Sequence, residues 1–380
     1  MPWKVSSAVD LRLAFILAVQ DGERSKAALC RAFGISRECG YKWLKRFVED
    51  GVDGLNDVSR APLKTPHALA KDVAALLLRT RDQHPNWGPR TLVARLQRRH
   101  PSKTWPAPST VGELLKRSGM IRPRSRKPQV EGPAPAIDPQ QPNDVWSADF
   151  KGHFPTADRQ RCHPLTISDA HSRYLLRCDA LPSTHDHLVR PLFERAFREY
   201  GLPLAIRTDN GTPFSGTGGL SKLSVWWVKL GIRLERIKPG KPQQNGRHER
   251  IHRTLQDDVG TGPRTMADHQ AVFDQFRHDY NNDRPHQALA MRTPSSLYAA
   301  SPRPMPRRLQ PIEYGPGWEV RYVRRNGELQ WRGVRMRVTA ALGGERVGLC
   351  AVEDGLWVIH FGPLRLGVID ERNSSVYRGA

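Results

Sequence analysis

Three acidic residues stand where their type and setting can do chemistry. Asp149 lies in an otherwise apolar stretch, Asp144-Val-Trp-Ser-Ala-Asp-Phe-Lys-Gly152, whose composition predicts a strand. Asp209 closes a second predicted strand in Ile206-Arg-Thr-Asp-Asn-Gly-Thr-Pro-Phe214, and Glu249 opens a long predicted helix after Lys238-Pro-Gly-Lys-Pro-Gln-Gln-Asn-Gly246. Strand ends are where open α/β sheets form sites. Carboxylate oxygens are the ligands that hard divalent cations such as Mg²⁺ prefer, and two such ions roughly 3.5–4 Å apart can stabilise the attacking and leaving oxygens of an in-line displacement. Each acid also has a plain structural meaning. Asp209-Asn-Gly is a turn signal, and a Glu near a helix N-terminus is favoured by the dipole. Asp169, in the turn-like Asp169-Ala-His-Ser172, reads as a turn residue and would replace Asp149 only if the strand lay elsewhere.

One short motif competes. His248-Glu249-Arg250-Ile251-His252 matches H-E-x-x-H, in which two histidines one turn apart hold Zn²⁺ and the Glu is the general base of a protease. Against it, Arg247, Arg250 and Arg253 surround the motif with charge that opposes a cation, and Asp149 and Asp209 are left without a role. The histidines as a set are scattered along the chain and are assigned no shared role.

The elements that must position these acids begin at residue 143. Strands are predicted over 145–154, 165–168 and 174–181, a helix over 185–200, a strand over 204–208, a helix over 220–230, a strand over 232–237 and a long helix from 245 onward. Three strands followed by alternating helices and strands predict a mixed sheet with helices on its faces. Trp226 and Trp227, in a helical setting, read as core. The glycines of 215–222 read as a flexible connection, since no G-K-[ST] follows them to make a nucleotide cradle.

Charge points to the partner. The 380 residues carry 60 Lys plus Arg against 38 Asp plus Glu, a formal net charge of +22. Residues 1–130 hold 25 basic and 11 acidic side chains, so 25 − 11 = +14 of it sits in the first third. There, 25–33, Gly34-Ile35-Ser36 and 37–47 read as helix, turn, helix, with Ser36 as N-cap. Tyr41, Leu44 and Phe47 form its apolar stripe, while Arg37, Lys42, Lys45 and Arg46 supply the cations of a helix in a major groove. Gly40 costs about 1 kcal/mol in a helix relative to Ala and is either tolerated or allows close approach to DNA. A protein-contacting helical hairpin is the alternative meaning.

Helices over 68–81, 88–98 and 109–118 read as a second such unit, followed by a basic, then Pro-rich, linker. Beyond about 302, short strands between turns predict a small antiparallel β-barrel whose Arg332, Arg335 and Arg337 make one face positive. The expected domains are 1–62 (helix-turn-helix), 63–125 (second helix-turn-helix), 126–142 (linker), 143–301 (mixed α/β core) and 302–380 (barrel). Five cysteines without C-x-x-C spacing indicate neither a disulfide framework nor a zinc knuckle. No export signal or apolar run of about 20 residues is present, so the expectation is a soluble protein of the bacterial cytoplasm, associated with the nucleoid.

The segments W-S-A-D-F, T-D-N-G-T-P-F and P-Q-Q-N-G-R-H-E-R-I-H-R-T-L, in that order, with Tyr280-Asn-Asn-Asp-Arg-Pro-His-Gln-Ala-Leu289 after them, resemble the insertion-sequence DDE transposases and retroviral integrases. The resemblance covers nearly the whole chain and implies an RNase H-like core. It implies two Mg²⁺ or Mn²⁺ ions, with Asp149 bridging both and Asp209 and Glu249 each completing one side. It further implies cleavage that frees 3′-OH ends of a mobile element and joins them to target DNA, in a homodimer or larger assembly on the element's terminal repeats. The 40 positions between Asp209 and Glu249 are longer than in much of that group, and an integrase-type zinc module is missing. Lys238, Lys241, Arg247 and Arg250 are the expected phosphate contacts near the site. A DNA-binding regulator that kept this fold without its chemistry is the non-enzymatic alternative.

Overall fold

The computed structural model describes residues 7–58, 69–121, 137–216, 219–237, 246–371 and the backbone of 375–378. Lys238 and Lys241, and most of the expected linker, lie outside the described residues. The chain divides into two compact units, Met1–Ala68 and Leu69–Ala380.

In the first unit a serine starts each helix. Ser7 caps α1 (Ala8–Gln20), Ser25 caps α2 (Lys26–Ala32) and Ser36 caps α3 (Arg37–Asp50), each hydroxyl accepting from a backbone N–H of the first turn. Gly34 takes a φ of +65° in the turn between α2 and α3, where a side chain would be strained. The core is Phe15, Ile16, Leu29, Cys30, Trp43 and Leu55. The expected stripe on α3 is corrected here: Trp43 is the buried anchor, Leu44 and Phe47 are partly buried, and Tyr41 is exposed. Gly40 is buried and faces α1 and α2. A Cβ there would meet Cys30 Sγ at 2.6 Å and Phe15 Cζ at 3.0 Å, so the glycine lets three helices close on one another.

The second unit begins with α4 (Lys71–Gln83), α5 (Pro89–Arg99) and α6 (Pro108–Arg117), packed on Val73, Leu77, Trp87, Leu92, Leu96, Val111 and Leu115. Proline opens both α5 and α6, where its missing N–H costs nothing.

The central sheet is built from β1 (Val145–Phe150), β2 (Phe154–Pro155), β3 (Arg161–Asp169), β4 (Leu175–Leu181), β5 (Ala205–Thr208) and β6 (Arg233–Arg236). β3 pairs antiparallel with β1, β2 and β4, while β1, β5 and β6 run parallel. Helices α7 (Asp186–Tyr200) and α8 (Lys222–Lys229) cover one face, where Trp146, Ala148, Leu165, Ile167, Phe193, Phe197, Trp226 and Trp227 form the largest apolar cluster. Helices α9 (Gly246–Val259) and α10 (Met266–Asn282) pack on the other through Ile251, Leu255, Phe273 and Phe276. Period-two alternation thus turns Ser147 and Asp149 of β1, and Thr166 and Ser168 of β3, away from the large cluster.

The C-terminal region departs from the expected barrel. β7 (Glu319–Tyr322), β10 (Arg346–Glu353), β11 (Leu356–Phe361), β12 (Leu364–Asp370) and β13 (Ser375–Arg378) form an open antiparallel sheet in the order β13-β12-β11-β10-β7. β8 (Glu328–Trp331) and β9 (Val334–Arg337) make a separate hairpin, so the described strands do not close. The stretch 330–338 is broken at Arg332 and Gly333, both at positive φ, as a tight two-residue hairpin turn requires. Leu329, Trp331 and Met336 join the sheet's apolar face, which also packs on Val225 and Val228 of α8. Arg335 and Arg337 are exposed as expected, whereas Arg332 pairs with Glu371 at 2.9 Å.

Candidate active site

Strand register brings the first two acids together. In the parallel β1–β5 pair, Val145 faces Ala205, Trp146 faces Ile206 and Ser147 faces Arg207, an offset of 205 − 145 = 60. Carried two residues further, that offset sets Asp149 beside Asp209, at the carboxyl ends of neighbouring parallel strands. The loop after β5 is held by several bonds. Arg236 donates to the carbonyls of Phe214 (2.7 Å) and Asp209 (3.4 Å), Asn210 Nδ2 donates to the Ile237 carbonyl (2.9 Å), and the Gly211 N–H donates to Asp209 Oδ1 (3.1 Å). Arg236 also sets a positive charge beside Asp209, a role that its place in a short strand did not reveal.

On the other side of β1, Asp149 lies opposite Thr166 in the antiparallel β1–β3 register. Thr166 Oγ1 shares hydrogen bonds with His248 Nε2 (2.6 Å) and His252 Nε2 (2.7 Å), and Ser168 Oγ bonds His248 Nδ1 at 2.9 Å. His252 Nδ1 in turn lies 3.9 Å from Asp149 Oδ2. These contacts fasten the start of α9 to the strand beside Asp149. The two histidines, one turn apart, face inward and leave Glu249 on the exposed side.

The zinc-protease alternative loses its support here, because hydroxyls of β3 occupy the ring nitrogens that would bind the metal. Burial, then His252, holds the His248 imidazole far below its ordinary pKa, and burial, then Lys151, lowers His252 to about 4, so both stay neutral at physiological pH. Unlike the sequence reading, which gave the histidines no shared role, the structure makes them one clamp. Polar Thr166 and Ser168 at alternate positions of an apolar strand were the signal for it.

Asp149 is strongly perturbed. Burial, then the charges of Asp209 and Glu249, pushes its carboxyl up to about 7. The three carboxylates therefore share one field, although among the described residues no three His, Cys, Asp or Glu side chains gather closely enough to cage an ion. Asp169 behaves differently. It is buried at the end of β3 and accepts from the Asn143 N–H (2.7 Å), the Ser172 N–H (2.7 Å) and the Ser172 hydroxyl (2.6 Å). Asn143, so held, also accepts from Trp146 Nε1 (3.0 Å) and the Tyr298 hydroxyl (2.9 Å), which fixes the entry to β1. Asp169 is thus a structural carboxylate and no substitute for Asp149.

Among the expected DNA contacts, Arg37, Lys42 and Lys45 are exposed on α3; Lys42 and Arg46 lie 5.0 and 5.2 Å from the Trp43 ring. Lys45 also pairs with Glu49 at 3.8 Å. Arg250 is exposed beside Glu249, and Arg247 donates to the Ala170 carbonyl and to Asp138, both at 3.3 Å. No helix among the described residues is long and apolar enough to cross a membrane.

The mixed sheet with helices on both faces lies in the region that matches an integrase type of core. The family description "Integrase core domain" matches residues 139–242 and again 230–294. "Helix-turn-helix domain" matches 11–62, "Homeodomain-like domain" 39–115, and "IS481 family transposase, C-terminal domain" 318–377. The chain is 31% identical over 238 residues to the "Insertion element IS407 uncharacterized 31.7 kDa protein" of Burkholderia multivorans, covering 60% of this chain and 80% of that protein. It is 26% identical over 281 residues to the "Insertion element IS476 uncharacterized 39.2 kDa protein" of Xanthomonas euvesicatoria, covering 73% of each. The chain belongs to the family of insertion-sequence transposases with an integrase-type core. Among solved structures it is similar to the HTLV-2 integrase catalytic core domain in complex with magnesium (17% identity, 42% of this chain, 99% of that chain, TM-score 0.32). It is also similar to the simian T-cell lymphotropic virus intasome in complex with PP2A regulatory subunit B56 gamma (18% identity, 77% of this chain, 97% of that chain, TM-score 0.36).

Proposed function

We propose that this transposase cuts DNA at the ends of its element to free 3′-OH groups and joins them to target DNA, using Asp149, Asp209 and Glu249. The observation that supports it is the β1–β5 register, whose offset continued by two residues matches Asp149 with Asp209, together with the Asp149 carboxyl pushed up to about 7 by burial, then by Asp209 and Glu249. Such a proton affinity marks a site that favours an added positive charge, and three carboxylates are a donor set suited to hard divalent cations. Asp149, Asp209 and Glu249 would hold the ions. Bound there, Mg²⁺ or Mn²⁺ would stabilise the attacking and leaving oxygens of the displaced phosphodiester. The chain's own share is orientation: the β1–β5 register sets two acids, Arg236 shapes the loop of Asp209, and the Thr166–His248–His252 clamp holds the start of the helix that bears Glu249.

Element ends would be gripped by Arg37, Lys42, Lys45 and Arg46 of α3, and phosphates near the site by Lys238, Lys241, Arg247 and Arg250. Joining two ends calls for a homodimer or larger assembly. The domain limits given above, with DNA binding by the C-terminal region, complete the proposal. The test is cleavage and strand transfer on labelled DNA carrying the element's ends, with Mg²⁺ or Mn²⁺. Products from the wild type that vanish in Asp149→Asn, Asp209→Asn and Glu249→Gln, with DNA binding kept, are expected. Binding without cleavage by the wild type favours the regulator.

A further inference from the structure

A cleft of about 1270 Å³ in the second unit opens between the N-terminal ends of α5 and α6 on one side and α9 with residues 284–291 on the other. Arg90, Arg173, Arg247, Arg250 and Arg284 line it, and Glu249 is the one acidic residue among its described walls. Arg247 and Arg284 are partly neutralised by Asp138 (3.3 Å) and Asp258 (2.8 Å). Arg90, Arg173 and Arg250 have no carboxylate partner among the described residues. Arg173 is half-buried, and its guanidinium is pushed down by burial and by Arg247 and Arg250, as expected for crowded cations awaiting an anion. Both facing helix ends add to this, since neither the α5 nor the α6 N-terminus is capped by a side chain, and their first-turn N–H groups carry the positive end of the helix dipole.

The two walls belong to one chain and are fastened together. Arg95 and Asp283 pair at 2.6 Å with side chains only 8% and 13% exposed, Arg99 adds a second bond to Asp283 at 2.9 Å, and Asn86 donates to the Asp257 carbonyl at 2.6 Å. Such a buried, multiply bonded pair is costly to break, which fixes the helical unit over α9. Three arginines without a carboxylate partner among the described residues, spread along an open cleft of this size, suit the successive phosphates of a polyanionic strand.

We propose that this cleft is a DNA-backbone channel assembled in cis, so that the chain gripping the phosphates next to the scissile bond is the chain whose Glu249 acts on it. The second clause rests on the active-site reading above; the channel itself does not.

Two arms test it on the full-length chain. In the first, affinity for a fluorescein-labelled duplex of arbitrary sequence is measured against salt for the wild type and for Arg90→Ala/Arg250→Ala, both exposed positions whose variants should melt with the wild type. Loss of two phosphate contacts should lower the slope of log K against log salt by about 1.8. An unchanged slope overturns the channel, whether or not the protein cleaves. In the second arm, Arg90→Glu and Glu249→Gln chains with different tags are co-expressed and purified through both tags. Assembly in cis leaves the mixed protein as inactive as either variant alone, whereas recovered cleavage of end DNA overturns it. Wild-type DNA that stays uncut, beside a lowered slope, counts against the active-site reading and leaves the channel standing.

Discussion

The two faces of the central sheet use the same strands for different ends. On the α7–α8 face, Trp146, Ala148, Leu165 and Ile167 are packed among aromatic and aliphatic side chains, and the α7 and α8 residues that meet them are themselves apolar. On the α9 face, the residues in between are Asp149, Thr166 and Ser168, and what meets them is a pair of buried neutral histidines. One face supplies the burial that offsets chain entropy, and the other orients polar groups at a cost in stability. A one-residue slip in β1 or β3 would exchange the faces, so the apolar packing also fixes which way Asp149 points.

Substitutions on either side of that divide should separate. Asp149→Asn should lower cleavage and strand transfer on the order of 10³-fold or more, the loss of several kcal/mol of transition-state stabilisation, with DNA affinity retained. Single-turnover assays against matched binding curves check this, and near-wild-type rates would remove Asp149 from the site. Ile167→Ala, one residue from Thr166, should instead cost about 2–5 kcal/mol in urea unfolding while the rate per folded molecule stays close to wild type.

The pH dependence of stability sharpens the contrast. Because the folded-state pKa of Asp149 is raised to about 7, the group contributes stability that is full below about pH 4 and is lost as pH rises through 7. Without divalent ions, Asp149→Asn should therefore unfold later than wild type at pH 8, by on the order of 2 kcal/mol, with the advantage shrinking toward pH 4. Equal midpoints at both pH values would place Asp149 outside the shared field. The smallest effect is expected for Thr166→Val. It removes the hydroxyl that both imidazoles bond, costing about 1–3 kcal/mol, with turnover falling more than DNA affinity as Glu249 loses its anchor. Turnover unchanged in that variant would reduce the clamp to a packing device.

Much of this was legible in the chain itself. The apolar setting of Asp149, the turn after Asp209 and the amphipathic start of α9 mark three acids on two strands and a helix, because local propensity and alternation depend on neighbours in sequence. Capping by Ser36 was equally local. The sequence could not show that 330–338 folds back at Arg332 and Gly333, since its residues suit either one strand or two. The open form of the C-terminal sheet was hidden too, because strand closure depends on long-range pairing.

What the sequence alone determined, then, is the inventory: which segments are helix or strand, where the acids and the positive charge lie, and that a polyanion is the partner. Tertiary structure alone decided their relations. Register placed Asp149 beside Asp209, Gly40 proved to serve helix packing, and His248 and His252 turned from a metal motif into a clamp on Thr166. The physical reason is that each of these depends on residues tens of positions apart meeting through packing and hydrogen bonds, and neither periodicity nor propensity records which surfaces meet.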